Sequence, residues 1–261
     1  MEYQTIIVEE KNAVGYLSLN RPEQFNSFTP QMCLEIVEVL TQWKDDTEIR
    51  IIVIAAIGKA FCAGQAISPD LFGGGAIDLD LVLEKYFNPL LALINTLPKV
   101  IICAVNGVAA GAGASLVLLC DIVIAAKSAS FSQIFSKIGL IPDCGATWLL
   151  PRMIGFAKAK ALMLTAEKIS ADEAERLGMI YKVVEDDQLQ IEVVTLAEYL
   201  ATQASLSFAL IKQAMRVSMQ NDFISQVKVE QDLQRQAGQS ADFLEGVRAF
   251  LMKDKPNFKG R

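Results

Sequence analysis

Apolar and polar positions along the chain fall into short β-like runs alternating with helical stripes. Thr5–Val8 and Val14–Leu19 carry β-branched and apolar residues at strand length and predict two paired strands. Thr29-Pro30 then supplies an N-cap with proline at the first helical position, and Ile36, Val37 and Leu40 continue it as an apolar stripe. Ile49–Ala56 is apolar throughout except for Arg50, the pattern of a strand covered on both faces. Leu79–Asn95 predicts a helix, Val100–Val105 a buried strand, Gly113–Cys120 a buried helix and Ile122–Ala126 a further strand. Ser170 and Glu173 have capping-box spacing, Gly178 stops that helix, and Met179–Val184 predicts a last strand. From Gln188 the pattern is helical almost to the end, divided at Gly238-Gln239-Ser240. This order predicts an α/β fold of repeated strand–helix units. A helical C-terminal region follows, packed on its own core or on a neighbouring subunit.

One stretch imitates a membrane span, because Val100 to Cys120 holds no charged residue. Yet Asn106 and the glycines 107, 111 and 113 break it with turn signals, so strand, turn and buried helix describe it better. At 261 residues and 52% hydrophobic content the chain can bury a large single core. Its formal charge of −6 argues against a nucleic-acid partner. Lys253, Lys255, Lys259 and Arg261 run against that trend, as a solvated tail or as a basic end for a phosphorylated ligand. Five cysteines without CxxC spacing, together with an N-terminus unlike a signal peptide, predict reduced thiols and a cytoplasmic location. No metal constellation is readable.

The chain also has no histidine, so proton transfer near neutral pH falls to another group. Asp143, in Gly139-Leu140-Ile141-Pro142-Asp143-Cys144-Gly145, is a carboxylate in an apolar turn. Burial there would raise its pKa, as a general base requires. Taken alone, such an Asp is more often a turn residue bonded to its own backbone. Two further glycine turns change the weighing: Lys59–Gln65, and Asn106–Gly113, which runs into a helix. Backbone N–H groups converging from such turns on one oxygen would form an oxyanion hole. Cys144 beside Asp143 lacks a His to activate it as a nucleophile.

Segments Asn20–Phe28 (NRPEQFNSF), Lys59–Gln65 (KAFCAGQ), Ala104–Ala125, Phe131–Gly155, Ser170–Val184 and Ala241–Gly260 occur in order along the whole chain. Together they resemble the crotonase, or enoyl-CoA hydratase/isomerase, superfamily. The resemblance implies a spiral of ββα units over residues 1–200 and a helical trimerisation region over 201–261. It implies a homotrimer or a dimer of trimers, and an acyl-CoA thioester as substrate, CoA itself being part of that substrate and no other cofactor being needed. The thioester oxygen would meet the backbone N–H groups of Gln65 and Ala112. Gln24, Phe25, Asn26, Lys59 and Ala63 would lie along CoA, with Lys255 and Phe258 reaching it from an adjacent subunit. Without the family, Lys59 reads as an ordinary exposed lysine.

Departures from the pattern narrow the expected chemistry. The two glutamates that add water in the family's hydratases fall on Ser115 and Phe135 here, which implies no hydration. Asp143 remains, at a position several of the family's isomerases use. The related aryl-CoA dehalogenases also need a His. The Asp common after Gly64-Gln65 is Ala66. The resemblance therefore implies an isomerase that moves a proton through an enolate, with the ring-1,2-epoxide of phenylacetyl-CoA as the expected substrate and an oxepin-CoA as product. The alternatives are a Δ3,Δ2-enoyl-CoA isomerase and a non-catalytic acyl-CoA- or RNA-binding homologue.

Overall fold

The computed structural model describes residues 3–68 and 78–260; Arg261 of the basic tail lies outside the described residues. The chain opens with a hairpin, β1 (Ile6–Lys11) and β2 (Val14–Leu19), turned by Asn12 and Ala13 at φ +53° and +61°. Positive φ at both turn positions matches the right-handed twist of the flanking strands. The first strand outlasts its apolar signal because β1 is an edge strand, with Glu9, Glu10 and Lys11 exposed.

Helix α1 (Pro30–Asp45) starts as expected, the Thr29 hydroxyl accepting from the Met32 N–H at 3.2 Å. It carries the chain over to β3 (Ile51–Ala56), parallel to β2. A repeating path then begins. Each of three strands in a large sheet, β3, β5 (Val100–Val105) and β7 (Ile122–Ala126), is followed by a three-residue strand in a small sheet: β4 (Ala60–Cys62), β6 (Val108–Ala110) and β8 (Ser130–Ser132).

Helices close each turn of the path. α2 (Leu79–Val82), a π-helical turn (Leu83–Phe87) and α3 (Asn88–Thr96) follow β4, and α4 (Ala112–Leu119) follows β6. α5 (Ala146–Ile154) and α6 (Phe156–Thr165) come after β8. Then β9 (Lys168–Ser170), α7 (Ala171–Arg176) and β10 (Lys182–Val184) complete two sheets, ordered β1-β2-β3-β5-β7-β10 and β4-β6-β8-β9. This is the ββα spiral. The charge-free stretch 100–120 is β5, β6 and α4, almost wholly buried. Among the described residues no single helix is long and apolar enough to cross a membrane.

The expected capping box is half made. Ser170 Oγ accepts from the Glu173 N–H at 3.2 Å, but the Glu173 carboxylate turns outward to Arg176 at 2.7 Å. The last strand is shorter than expected, because Met179 N–H still closes α7 on the Ala174 carbonyl. Beyond Gln188 four helices form: α8 (Leu189–Ala201), α9 (Ser205–Ser218), α10 (Phe223–Gly238) and α11 (Ala241–Met252). α8 packs on the large sheet. α9 is pinned by Lys212, whose ammonium donates to the Lys99 carbonyl and to Asp121, both at 2.6 Å.

Candidate active site

Phe28 sets the first glycine turn by a bridge on one side only. Its N–H donates to the Gly64 carbonyl at 2.8 Å, and its carbonyl accepts from the Ala66 N–H at 2.9 Å. Successive residues of an extended segment face opposite ways. The Gln65 N–H between these bonds therefore faces away from Phe28, and it has no hydrogen-bond acceptor among the described residues. The second turn places Gly111 at φ +53° as the N-cap of α4. Its N–H donates to the Ser132 carbonyl at 3.0 Å. Ala112, the first residue of the helix, has an N–H with no intrahelical acceptor.

The two turns meet closely because Gly64 has no side chain. At φ +102°, a Cβ there would sit 3.1 Å from the Ala110 oxygen and 3.6 Å from the Ala112 nitrogen. The N–H groups of Gln65 and Ala112, without an acceptor among the described residues, thus border one cleft of about 350 Å³. Ile67, Leu79, Ile134, Phe135, Ile138 and Leu140 supply its apolar walls, and Asp143 is the single ionisable group among the described lining residues.

Asp143 hangs from a turn with unusual backbone. Cys144 and Gly145 follow it at φ +52° and +79°, and the Ala146 N–H then starts α5 by donating to the Asp143 carbonyl at 3.0 Å. The Asp143 side chain is half-buried, and its Oδ1 is sealed from solvent without a hydrogen-bond partner among the described residues. Desolvation raises its pKa, more than the hydrogen bonds from the Cys144 thiol and its own backbone lower it. Burial and the adjacent Asp143 carboxylate push the Cys144 thiol up too, which keeps it protonated and a poor nucleophile. Burial holds Cys62, beneath the first turn, up at about 12.

The remaining expected site residues divide by location. Ala63 lines the cleft, its N–H bound to the Phe25 carbonyl at 3.0 Å, which couples the loop of residues 20–28 to the first turn. Gln24, Phe25 and Lys59 are exposed beside it. Asn26 requires a correction. Its side chain is fully buried: Oδ1 accepts from the Arg21 N–H, and Nδ2 donates to the Ile57 and Ala60 carbonyls, at 2.7 to 2.9 Å. It shapes the loop and offers no atom to a ligand. Lys255 and Phe258 do not line this chain's cleft; Phe258 packs beside Gly246 of α11. Ser115 is fully buried behind the second turn, and Phe135 is a wall of the cleft, so neither offers a carboxylate.

The family model for enoyl-CoA hydratase/isomerase matches residues 9–261. The chain belongs to the enoyl-CoA hydratase/isomerase family. Family members similar to it carry both kinds of name. The 1,2-epoxyphenylacetyl-CoA isomerase of Escherichia coli (strain K12) is 47% identical over 258 residues, 98% of each chain. A protein of Rhodobacter capsulatus named "Probable enoyl-CoA hydratase" is 43% identical over all of both chains. Among solved structures, the enoyl-CoA hydratase from Bacillus anthracis superposes with a TM-score of 0.93 at 32% identity, over 99% of this chain and 100% of that one. The family's motifs mark the polar parts of the cleft better than its walls. Nothing in the sequence marked Ile67, Leu79, Ile134, Ile138 and Leu140 as cleft walls, although Ile134 and Ile138 stand four residues apart with Leu140 beyond.

Proposed function

We propose that the chain is an acyl-CoA isomerase that relocates a proton through an enolate, acting on the ring-1,2-epoxide of phenylacetyl-CoA. The observation that carries this reading is a desolvated carboxylate, the single ionisable group among the described lining residues, facing an apolar cleft with two N–H groups at its edge that have no acceptor among the described residues. The thioester oxygen would accept from Gln65 and Ala112, so the negative charge of an enolate has donors waiting for it. Asp143 would take a proton from the carbon between ring and thioester and return it to a ring carbon. The ring carbon can take that proton once the C–C bond shared by the epoxide has broken to give the seven-membered oxepin, whose ring double bond is conjugated with the enolate. That double bond moves outside the ring, and no atom is added. Hydration would call for a second acid–base group on the water, and the hydratase positions hold Ser115 and Phe135. The 47% identity to the Escherichia coli isomerase supports this choice over a straight-chain substrate. CoA needs no further cofactor for this proton relocation.

The test compares turnover of the ring-epoxide, 3-hexenoyl-CoA and crotonyl-CoA by the protein and by Asp143→Asn. Isomerisation of the ring-epoxide, lost in the variant while CoA binding persists, is expected. Preference for 3-hexenoyl-CoA would reassign the substrate to a straight-chain enoyl thioester. Brisk hydration of crotonyl-CoA would overturn the single-carboxylate mechanism.

A further inference from the structure

Behind the Gly111–Ala112 turn lies a buried polar pair that the proton transfer does not use. Ser115, one turn into α4, is fully buried, and Gln133, just after β8, is 4% exposed. The Ser115 hydroxyl lies 3.1 Å from the Gly111 carbonyl oxygen and 3.5 Å from the side-chain oxygen Oε1 of Gln133. The Ser115 backbone N–H donates to the same Gly111 oxygen at 2.9 Å.

A hydroxyl has one proton to give, and an amide's oxygen and nitrogen are told apart by their partners. If Ser115 gives its proton to Gly111, a lone pair is left facing Gln133, which suits the amide's NH2 end. As the amide stands, with Oε1 toward Ser115, its NH2 group is buried with no hydrogen-bond partner among the described residues, a substantial desolvation cost. Turned over, the amide would put Nε2 where Oε1 lies, and the bonds would then run from Gln133 Nε2 to Ser115 Oγ to Gly111 O.

The Gly111 oxygen and the Ala112 N–H belong to one planar trans peptide and point in opposite directions. Two hydrogen bonds on the oxygen therefore fix where the N–H points. Linked hydrogen bonds also polarise one another, so the same bonds strengthen that N–H as a donor. The geometry points to Ser115 and Gln133 as positioning residues that aim and polarise the Ala112 N–H at the thioester oxygen. This rests on the reading of Gln65 and Ala112 as the donors to that oxygen. The position that would carry a hydratase glutamate thus serves the oxyanion site from behind.

Vibrational difference spectra of bound hexanoyl-CoA, a saturated thioester that cannot isomerise, test the inference in the wild type, Ser115→Ala, Gln133→Met, their double variant and Asp143→Asn. Binding to the wild type should lower the thioester carbonyl stretch. Ser115→Ala and Gln133→Met should each lose part of that shift and about tenfold in kcat, with KM little changed, since small misplacements of a donor cost rate steeply. The double variant should be no worse than Ser115→Ala, because both act through one carbonyl. Asp143→Asn should keep the full shift without turnover. Single variants with the wild-type stretch and kcat would sink the relay alone. No shift on binding to the wild type would sink the oxyanion reading and the relay with it. Gln133 lies outside every α-helix and strand, so Gln133→Met carries the test if Ser115→Ala does not fold.

Discussion

Asp143 is held where its charge is disfavoured, and the consequences for stability and rate have opposite signs. Its folded-state pKa is raised by desolvation. The folded protein therefore binds that proton more tightly than the unfolded chain, and stability falls as pH rises from the ordinary carboxylate value of 3.8 through the raised one. At neutral pH the ionised group is a net cost to the fold. Asp143→Asn is therefore expected to melt at a higher temperature than the wild type at pH 7, the gap closing as pH drops below 3.8. Its kcat should fall by about 10²–10⁴-fold, the usual worth of a positioned base. A melting temperature that falls at pH 7 would show that the carboxylate is a structural anchor after all. The pH profile of wild-type kcat/KM supplies an independent check. Its acidic limb should lie above the ordinary carboxylate range, because only ionised Asp143 accepts a proton.

At the scale of elements, the site depends on how closely α4 approaches β4. Gly113 makes that approach: a Cβ there would lie 2.5 to 2.8 Å from the Cys62 oxygen, Cβ and Sγ. Gly113→Ala should push α4 and its first N–H away from the Gln65 turn. The expected loss is about 1–3 kcal/mol of stability by overpacking, measured by denaturant unfolding. Turnover should drop by about 10²-fold, since a displacement near 1 Å is enough to spoil a reacting geometry. Wild-type kcat in a folded Gly113→Ala would separate α4's position from catalysis. The same elements explain what the sequence could reveal. Strands β3, β5 and β7 are covered on both faces, so their apolar runs stand out. Strands β4, β6, β8 and β9 have three residues each, too few to display an alternation. The small sheet was therefore unreadable locally, although it carries both glycine turns. Helices α5 and α6 were obscured by Pro151 and by Gly155 between them. The break before α10 had a signal, since Asp222 accepts from the Ser225 N–H at 2.8 Å as an N-cap. The site was more legible than its scaffold because special backbone leaves glycines and an isolated acid in the sequence. The apolar walls leave no such trace.

At the scale of the whole molecule, the C-terminal helices leave apolar surface that a single chain does not cover. Phe223 and Phe250 are 78% and 83% exposed, and Leu244, Leu251 and Met252 are nearly as open. Phe243, Val247 and Phe250 of α11 line a groove with Phe258 of the tail. Large apolar patches of this kind are uncommon on monomers and mark interaction surfaces. The tail is also held in a defined place. The buried Asp242 carboxylate accepts from the Lys259 and Gly260 N–H groups at 2.6 and 2.7 Å, and Arg50 donates to the Phe258 carbonyl at 3.1 Å. A fixed basic tail beside an apolar face suits a homotrimer in which Lys255 of one subunit approaches CoA bound to the next. Light scattering should then give three times the 28.5 kDa chain mass, or six for a dimer of trimers. Phe250→Asp should yield single chains, because burying an unpaired carboxylate at such a contact is costly. If the neighbour's tail completes the CoA site, these single chains should show KM raised by about tenfold, the worth of one charge-assisted contact, with kcat largely kept. Single chains with unchanged KM would separate assembly from binding, and a 28.5 kDa wild-type particle would remove the trimer altogether.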